Sequence, residues 1–337
     1  MRDNEYGSIV ISSRIRLARN LAKELFPTRL SKEKGMQVRN KIISAVEPID
    51  NFKIYPMNVL AETDAMVMHE KHLISHNLVE NKDTGAVCVN QDESISIMIN
   101  EEDHIRAQCL MKGLSLEKAF DAINKIDNTL ASKLNFAFDK KWGYLTSCIT
   151  NVGTGMRASV MLFLPALTLS GQMEDIINNS LKPKRLTARG VFGEGSGAEG
   201  YVYQISNSTS LGNSEREIIS LVKENVIRLC ELEIEARKRL VKEKLSTARD
   251  IVQRSWGILT NCYRLNYEDL LKYLGQLKLG IAIGLIRFKD NYIIDRLTQT
   301  CLPYYLSKTF NLSLGEEDLE IYRAEYVSQE LKRERIK

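Results

Sequence analysis

The first two thirds of the chain contain segments whose hydrophobic pattern is typical of strands. Ser94–Ile99 alternates polar and apolar residues, the period of a half-buried strand. Arg157–Leu164, which Pro165 closes, and Tyr201–Ser206 are also strand-like. Because these strands are not spaced as strand–helix–strand repeats, the pattern predicts an α+β fold with a largely antiparallel sheet.

Helical periodicity dominates the last third of the chain. Residues 213 to about 244 form one long predicted helix, which begins with a capping box made by Ser214 and Glu217. After Lys244 glycines become sparse and apolar residues recur at helical spacing, as in Leu270, Leu271, Leu274 and Leu277. We therefore expect one domain over residues 8–240 and an all-helical C-terminal domain over residues 241–337.

Composition agrees with this division and excludes several classes of protein. A length of 337 residues suggests about two domains. The net charge of +4 is too small to indicate nucleic-acid binding, which needs a concentrated basic face. The six cysteines contain no C-x-x-C pair, so a zinc ribbon is excluded and free thiols in a reducing cytosol are expected. The start lacks the apolar core of a signal peptide, and residues 160–169 are too short to span a bilayer. These features predict a soluble cytoplasmic protein.

Two motifs suggest other functions, but the residues around them do not fit those functions. Gly195–Gly200 matches G-x-G-x-x-G, yet it leads into a strand, whereas a dinucleotide fingerprint follows a strand and opens a helix. His69, His72 and His76 are spaced to share one helical face, where imidazoles can bind zinc. No cysteine or acidic ligand lies at fixed spacing nearby, so a surface helix is the favoured interpretation.

Four segments together carry a consistent chemistry. They are Ser12–Asn20, Asn100–Arg106, Leu145–Ser159 and Arg189–Ser196. Each alone is unremarkable, since basic strands, acidic turns and glycine turns are common. In combination, their arginines can clamp a polyphosphate and their glycines let backbone N–H groups approach phosphate oxygens. If the first segment is extended, Arg14 and Arg16 lie on the same side of it.

The segments NEEDHIR, LTSC-x-TNVGTGMRAS and RG-x-x-GE resemble the distinctive blocks of the ATP:guanido phosphotransferases, the family of creatine and arginine kinases. The resemblance runs from about Ser8 to Glu235. It implies a phosphagen-kinase-type catalytic domain, an antiparallel sheet flanked by helices, and ATP with Mg²⁺ carried by the nucleotide. The animal enzymes have a small helical domain before the catalytic one. We expect that domain to be absent here and replaced by the C-terminal helices, as in the bacterial protein-arginine kinases.

The resemblance also assigns site residues. Glu102 and Glu194 match the two catalytic carboxylates, and Cys148 matches the reactive cysteine. The residues matched to the nucleotide site are Ser12, Ser13, Arg14, Ile15, Arg16, His72, Arg106, Arg157, Ala158, Ser159, Val160, Met161, Arg189, Gly190, Val191, Phe192, Gly193 and Glu194. A guanidinium has no free lone pair while it is protonated, so a carboxylate must orient it and accept a proton.

Two departures from the family pattern stand out. Ile149 follows the reactive cysteine, where the family usually has proline. The bacterial enzymes carry R-D-x-x-R-A in a phosphoarginine-binding pocket, whereas the aligned stretch here begins with Leu319 and Glu320 and keeps Arg323. Because leucine cannot grip a phosphate, we expect that pocket not to function. The alternative is an ordinary amphipathic helix with Leu319 and Tyr322 packed inward and Arg323 in solvent.

The predicted function is phosphorylation of protein arginines by ATP, which marks proteins for regulated degradation or a stress response. One alternative is a phosphagen kinase acting on free arginine or another small guanidino compound, since the motifs do not separate these acceptors. Another is an inactive module that binds arginine or phosphoarginine. The resemblance implies an McsA-type activator, a CtsR-type repressor and the ClpC–ClpP protease as partners, and it leaves a homodimer open.

Overall fold

An eight-stranded antiparallel sheet organises the chain, for which the computed structural model describes residues 6–49, 51–190, 198–312 and 315–336. The strands in chain order are β1 (Val10–Arg19), β2 (Phe52–Pro56), β3 (Ala86–Asn90), β4 (Ile95–Ile99), β5 (Ile105–Lys112), β6 (Phe138–Asp139), β7 (Gly143–Tyr144), β8 (Met156–Phe163), β9 (Leu186–Gly190) and β10 (Val202–Asn207). The sheet order is β2-β3-β4-β5-β1-β8-β10-β9, and β6 and β7 form a separate hairpin. The strands predicted from sequence correspond to β4, β8 and β10, and the α+β class is confirmed.

Helices pack on the sheet and make up the C-terminal part of the chain. They are α1 (Lys32–Val46), α2 (Glu62–Glu70), α3 (His76–Glu80), α4 (Leu116–Ala131), α5 (Pro165–Leu169), α6 (Met173–Asp175), α7 (Glu215–Glu243), α8 (Leu245–Asn261), α9 (Tyr267–Ala282), α10 (Ile293–Thr300), α11 (Pro303–Thr309) and α12 (Glu316–Glu334). The predicted capping box is present at the start of α7, where Ser214 and Glu217 bond each other's backbone N–H groups.

The two faces of the sheet differ because side chains alternate along each strand. On β1, Ile15 and Leu17 point into the main hydrophobic core, which α4 and α7 help to enclose. Ala158 and Val160 of β8 join them there. The intervening residues of β1 and β8 point to the opposite face, which is polar at these central strands. Over β3 and β4 the same face packs against α2 and α3 through Val87, Val89 and Met98.

The C-terminal helices build a second hydrophobic core from residues such as Val252, Leu270, Leu297 and Val327. Arg323 lies beside this core and is only 2% exposed. Its Nε donates to the carbonyl of Cys301 and its Nη1 donates to the carbonyl of Leu265. The alternative that placed Arg323 in solvent is therefore wrong, because the helix turns this residue toward carbonyl groups that need donors.

Contacts at several places tie the C-terminal helices to the sheet domain, among them two that involve backbone atoms. Gly275 of α9 packs so closely on Gly200 that an added Cβ would lie 2.8 Å from the Gly200 Cα. The Glu70 carboxylate, at the end of α2, accepts hydrogen bonds from the backbone N–H groups of Tyr304 and Tyr305 at 2.9 and 2.8 Å. The C-terminal helices thus contact both the turn before β10 and the end of α2.

The expectation that three histidines share one helical face is wrong. Helix α2 ends at Glu70, and His72 adopts a left-handed conformation with φ of 60°. His76 then begins α3. The rings of His69 and His76 still come together, with centroids 5.8 Å apart.

The cysteines and the helices have two further properties. All six cysteines are free thiols, as predicted. In the described ranges, none of the helices combines the length and apolar character that crossing a membrane requires.

Candidate active site

Arginines from neighbouring strands gather on the polar face of the sheet. The register pairs Arg16 of β1 with Arg157 of β8, and Ala18 of β1 with Arg106 of β5. Paired residues share a face and β1 alternates, so Arg14 lies on the same surface. The prediction that Arg14 and Arg16 point to one side is confirmed.

This arrangement raises the local positive potential. Burial, with repulsion from Arg106 and Arg157, lowers the pKa of the Arg14 guanidinium to about 10. Burial, with repulsion from Arg14, Arg106 and Arg157, lowers the pKa of Arg16 well below its ordinary value. The Arg16 Nε is buried and has no hydrogen-bond partner among the residues that the structure describes. Buried donors normally have partners, so this cluster is suited to an anionic ligand that would supply acceptors.

Neutral side chains on β10 orient two of these arginines. The Arg14 Nη2 donates to the Gln204 Oε1 at 2.6 Å. Arg157 donates to the Ser206 Oγ from Nε at 3.3 Å and from Nη2 at 3.0 Å. Sequence reasoning missed Gln204 and Ser206. Their signal is the alternation along the predicted strand 201–206, which places them on one face, two positions apart.

Arg106 is held differently, by a carboxylate. Its Nη1 donates to Glu101 Oε1 at 2.7 Å, and the Glu101 side chain is fully buried. Burial opposes ionisation of Glu101, but Arg106 and a hydrogen bond from Ser75 outweigh it and lower its pKa below the ordinary value. Glu101 therefore remains an anion and cancels part of the charge on Arg106.

Glu102 lies on the turn between β4 and β5, beside the arginine cluster. Burial and the Asp103 and Glu101 carboxylates raise its pKa, while Arg106 and Arg16 oppose that rise. Its backbone N–H donates to Glu101 Oε2 at 2.9 Å. A half-buried carboxylate with a raised pKa, next to cations that do not neutralise it, is suited to accepting a proton.

Cys148 lies on the loop between β7 and β8 and reaches toward the same face. Its thiol is half-buried, and Sγ lies 3.0 Å from the Thr150 Oγ1. Burial and repulsion from Arg189 and Arg106 lower the pKa of the Arg157 guanidinium, and the nearby Cys148 opposes that shift. Ile149, in place of the family's usual proline, is 84% exposed, so its side chain projects away from the site.

His72 borders the cluster from the turn after α2. Burial, with repulsion from Arg14 and His69, lowers its pKa to about 4. The Gln108 Nε2 donates to the His72 carbonyl at 2.6 Å and thereby fixes this turn to β5. His72 is therefore neutral near pH 7 and offers a neutral ring to the site.

The other predicted nucleotide residues divide between the two faces. Ser12, Ser159 and Met161 lie on the polar face by register with Arg14 and Gln204. The side chains of Ser13, Ile15, Ala158 and Val160 are buried on the opposite face, where Ser13 donates to the Gly113 carbonyl at 2.7 Å. Arg189 is exposed on β9 opposite Gln204, and Gly190 ends that strand. Val191, Phe192, Gly193 and Glu194 lie outside the described residues.

Side chains that could bind a metal ion are not grouped near the arginine cluster in the described part of the chain. Within residues 6–49, 51–190, 198–312 and 315–336, no group of three or more His, Cys, Asp or Glu side chains is arranged to hold a metal ion. The cluster instead offers cations, which bind phosphate oxygens directly.

Comparison with known protein families gives two matches. The ATP:guanido phosphotransferase C-terminal catalytic domain matches residues 35–236, and the protein-arginine kinase McsB C-terminal domain matches residues 245–337. The protein-arginine kinase of Clostridium kluyveri is 41% identical over 333 residues, which cover 98% of this chain and 96% of that protein. The protein-arginine kinase of Halothermothrix orenii is 42% identical over 325 residues, covering 96% and 93%.

Solved structures agree with the sequence matches. The crystal structure of lombricine kinase is 27% identical with a TM-score of 0.61, over 67% of this chain and 66% of that chain. The duplicated taurocyamine kinase of Schistosoma mansoni, with bound components of a transition-state analogue, gives a TM-score of 0.64 at 24% identity. It covers 80% of this chain and 39% of that one and supports the fold. The chain thus belongs to the ATP:guanido phosphotransferase family, among relatives that are protein-arginine kinases.

Proposed function

We propose that this protein transfers the γ-phosphoryl group of ATP to the guanidinium of arginine residues in proteins. The observation that carries the proposal is the set of arginines on one sheet face beside Glu102 and Cys148. In the described part of the chain, no carboxylate forms an ion pair with Arg14, Arg16 or Arg157, whereas Arg106 pairs with Glu101. The cluster therefore has unneutralised charge for a polyphosphate.

Arg14, Arg16, Arg106, Arg157 and Arg189 are the proposed phosphate ligands. Phosphoryl transfer depends mainly on positioning and charge neutralisation, and planar guanidinium groups can grip two oxygens at once. Gln204 and Ser206 support this role because they fix two guanidinium groups without cancelling their charge. Mg²⁺ carried by ATP would supply further neutralisation of the developing charge.

Glu102 is the proposed proton acceptor from the substrate guanidinium. As an N–P bond forms to the γ-phosphorus, the bond between that phosphorus and the bridging oxygen of ADP breaks. The substrate nitrogen loses a proton, which Glu102 receives. Its raised pKa supports this role, because a base works best when its pKa approaches the operating pH. The resemblance adds Glu194 as a second carboxylate on another loop, so that the two hold different edges of the planar fork.

Cys148 is proposed to add negative charge beside the guanidinium as a thiolate. Its electrostatic interaction with Arg157 supports a place beside the arginine cluster. The thiol's contact with Thr150 would fix the direction in which sulfur faces the acceptor.

A protein acceptor is favoured over free arginine by the relatives and by the C-terminal helices. The relatives named above are protein-arginine kinases, and the match to the McsB C-terminal domain covers residues 245–337. An inactive binding module is disfavoured because Glu102, Cys148 and the arginines are all present.

The division at about residue 240 is also part of the proposal, supported by the separate hydrophobic cores on either side of it. The McsA-type activator, CtsR-type repressor, ClpC–ClpP protease, homodimer and cytoplasmic location stay predictions.

The test is incubation of the protein with Mg-ATP and either an unfolded arginine-containing protein or free arginine. Phosphorus NMR and acid lability identify an N-phosphate on each acceptor. We expect the product on the protein acceptor, with release of one ADP for each phosphate transferred. Product on free arginine alone would favour the phosphagen kinase, and binding without product would favour the inactive module.

A matched pair of variants connects the activity to this site. Glu102→Gln removes the proton acceptor and should lower turnover by ~10²–10⁴-fold. Asp121→Asn changes an exposed carboxylate of α4 and should leave turnover unchanged. Equal activity in both variants would contradict the role of Glu102.

A further inference from the structure

Asn20, the last residue of the segment Ser12–Asn20, has a place in the site that the sequence pattern did not predict. It follows directly on β1 and is 1% exposed. Its side chain points into the space between the turn that carries Glu102 and the loop that carries Cys148. Within the described part of the chain, its side-chain hydrogen bonds go to neighbours of Glu102 and Cys148 in the sequence and not to their side chains.

The Asn20 amide bonds both of these segments at once. Its Oδ1 accepts a hydrogen bond from the His104 backbone N–H at 2.9 Å. Its Nδ2 donates to Asp103 Oδ1 at 2.6 Å and to the Leu145 carbonyl at 3.1 Å. Only an amide side chain supplies an acceptor and two donors from one planar group.

Asp103 extends the connection to the cysteine loop. Its Oδ1 also accepts a hydrogen bond from the Ser147 backbone N–H at 2.7 Å. The Ser147 Oγ in turn donates to the Glu102 carbonyl at 2.8 Å. The residues adjacent to Cys148 and the backbone of Glu102 are thus joined directly, and Asn20 fastens both to the end of β1.

We propose that Asn20 is a positioning residue that fixes Glu102 and Cys148 relative to each other on the acceptor side of the site. This rests on the proposed function of those two groups. The bonds of Asn20 go to the acceptor-side loops, whereas Arg14 and Arg157 are oriented separately by β10. Loss of the Asn20 amide should therefore impair phosphoryl transfer without weakening ATP binding.

Asn20→Asp tests this with little change in shape. A carboxylate still accepts from the His104 N–H, but it faces Asp103 and the Leu145 carbonyl, both acceptors, so the two loops are pushed apart. A displacement of about 1 Å at a reacting group can cost ~10²-fold, so we expect kcat to fall by that order. The KM for ATP should stay within about twofold of the parent's, since the arginine clamp is untouched.

Three further variants complete the experiment. Asn20→Asp with Asp103→Asn restores one amide and one carboxylate and should recover at least part of kcat. Ser147→Ala removes one bond from a half-buried hydroxyl and should give a smaller loss in the same direction, even if Asn20→Asp does not fold. Asn128→Asp, on the exposed side of α4, is the matched control and should behave as the parent does.

Thiol alkylation gives a readout that does not need activity. Four of the six cysteines are buried, so iodoacetamide should modify Cys148 and the half-buried Cys262, resolved by peptide mass spectrometry. Asn20→Asp should change the Cys148 rate severalfold and leave the Cys262 rate unchanged. If the parent protein were inactive, the proposed function would be refuted. The alkylation rate of Cys148 would still show whether Asn20 positions the cysteine loop. A parental kcat and Cys148 rate in Asn20→Asp, or equal loss of kcat and ATP affinity, would overturn the positioning role.

Discussion

A substitution of Gly275 tests whether the C-terminal helices hold the chain next to the site. Gly275 lies in α9 and faces Gly200 of the sheet domain. A Cβ at Gly275 would lie 2.8 Å from both the Cα and the carbonyl oxygen of Gly200. These are backbone atoms, so in a Gly275→Ala variant the turn that contains Gly200 must move away from α9. That turn follows directly on the segment that contains Glu194.

The expected magnitude combines two opposing effects. Alanine in a helix is favoured over glycine by ~1 kcal/mol. Overpacking at a close contact costs ~1–3 kcal/mol. The matched control is Gly257→Ala in α8, where nothing lies within 4 Å of an added Cβ. The control should gain up to ~1 kcal/mol, and Gly275→Ala should therefore be less stable than the control by ~1–3 kcal/mol.

Urea unfolding and turnover measure the two consequences separately. We expect the unfolding midpoint of Gly275→Ala to fall below that of Gly257→Ala, and its kcat to fall because the turn at Gly200 moves. Activity and stability of Gly275→Ala that match those of Gly257→Ala would show that the two glycines do not pack as described. A loss of stability without loss of turnover would refute the connection between this contact and the site.

Three further substitutions probe the clamp, the second carboxylate and the core. Arg157→Lys keeps the positive charge but loses the planar guanidinium, which Ser206 orients. The loss of one charge-assisted bond to phosphate, worth ~1.5 kcal/mol, should weaken ATP binding about tenfold, as measured by calorimetry. Glu194→Gln should lower turnover by ~10²–10⁴-fold while nucleotide affinity stays near normal, and a parental rate would contradict its role as a base. Glu233→Ala leaves Arg237 buried without its 2.7 Å partner and should cost ~3–5 kcal/mol in unfolding free energy, whereas Glu233→Gln should cost less.

Local patterns in the sequence predict the strands and the long helix because those elements depend on alternation and capping within a few residues. Alternation also predicts that Arg14 and Arg16 share a face. The partners Gln204 and Ser206 depend on strand order instead. β10 comes to lie beside β8, two strands from β1, and no short-range pattern specifies that order. Sequence therefore predicts which arginines gather but not what orients them.

The histidines show how a distant contact overrides a local period. The spacing of His69, His72 and His76 fits a helix, yet the chain leaves the helix at Glu70. Gln108, from a strand that follows in sequence, donates to the carbonyls of both His72 and Leu73. These carbonyls would have bonded within a continued helix, so the bonds from β5 stabilise the left-handed turn at His72. This turn brings His72 to the arginine cluster instead of leaving it on a helix surface.

The phosphoarginine pocket of the related bacterial enzymes offers a last prediction, because the structure changes the reason for expecting its loss. Arg323, the arginine that this chain retains, is buried and donates to the carbonyls of Cys301 and Leu265. Glu320 pairs with Arg264 at 2.9 Å. A phosphate needs donors that are not already used, and Leu319 supplies none.

Phosphoarginine should accordingly neither activate the full-length protein nor bind Arg323 more tightly than millimolar. Calorimetric titration of phosphoarginine into the parent, Arg323→Ala and the control Arg333→Ala measures this directly. Any binding at the arginine cluster of the sheet face would be common to all three proteins. A micromolar site present in the parent and in Arg333→Ala but lost in Arg323→Ala would show that Arg323 exchanges its carbonyl partners for a phosphate. The two carbonyls that now hold it would then be left buried without donors, at a cost of ~1–3 kcal/mol each, which the bound phosphate would have to offset.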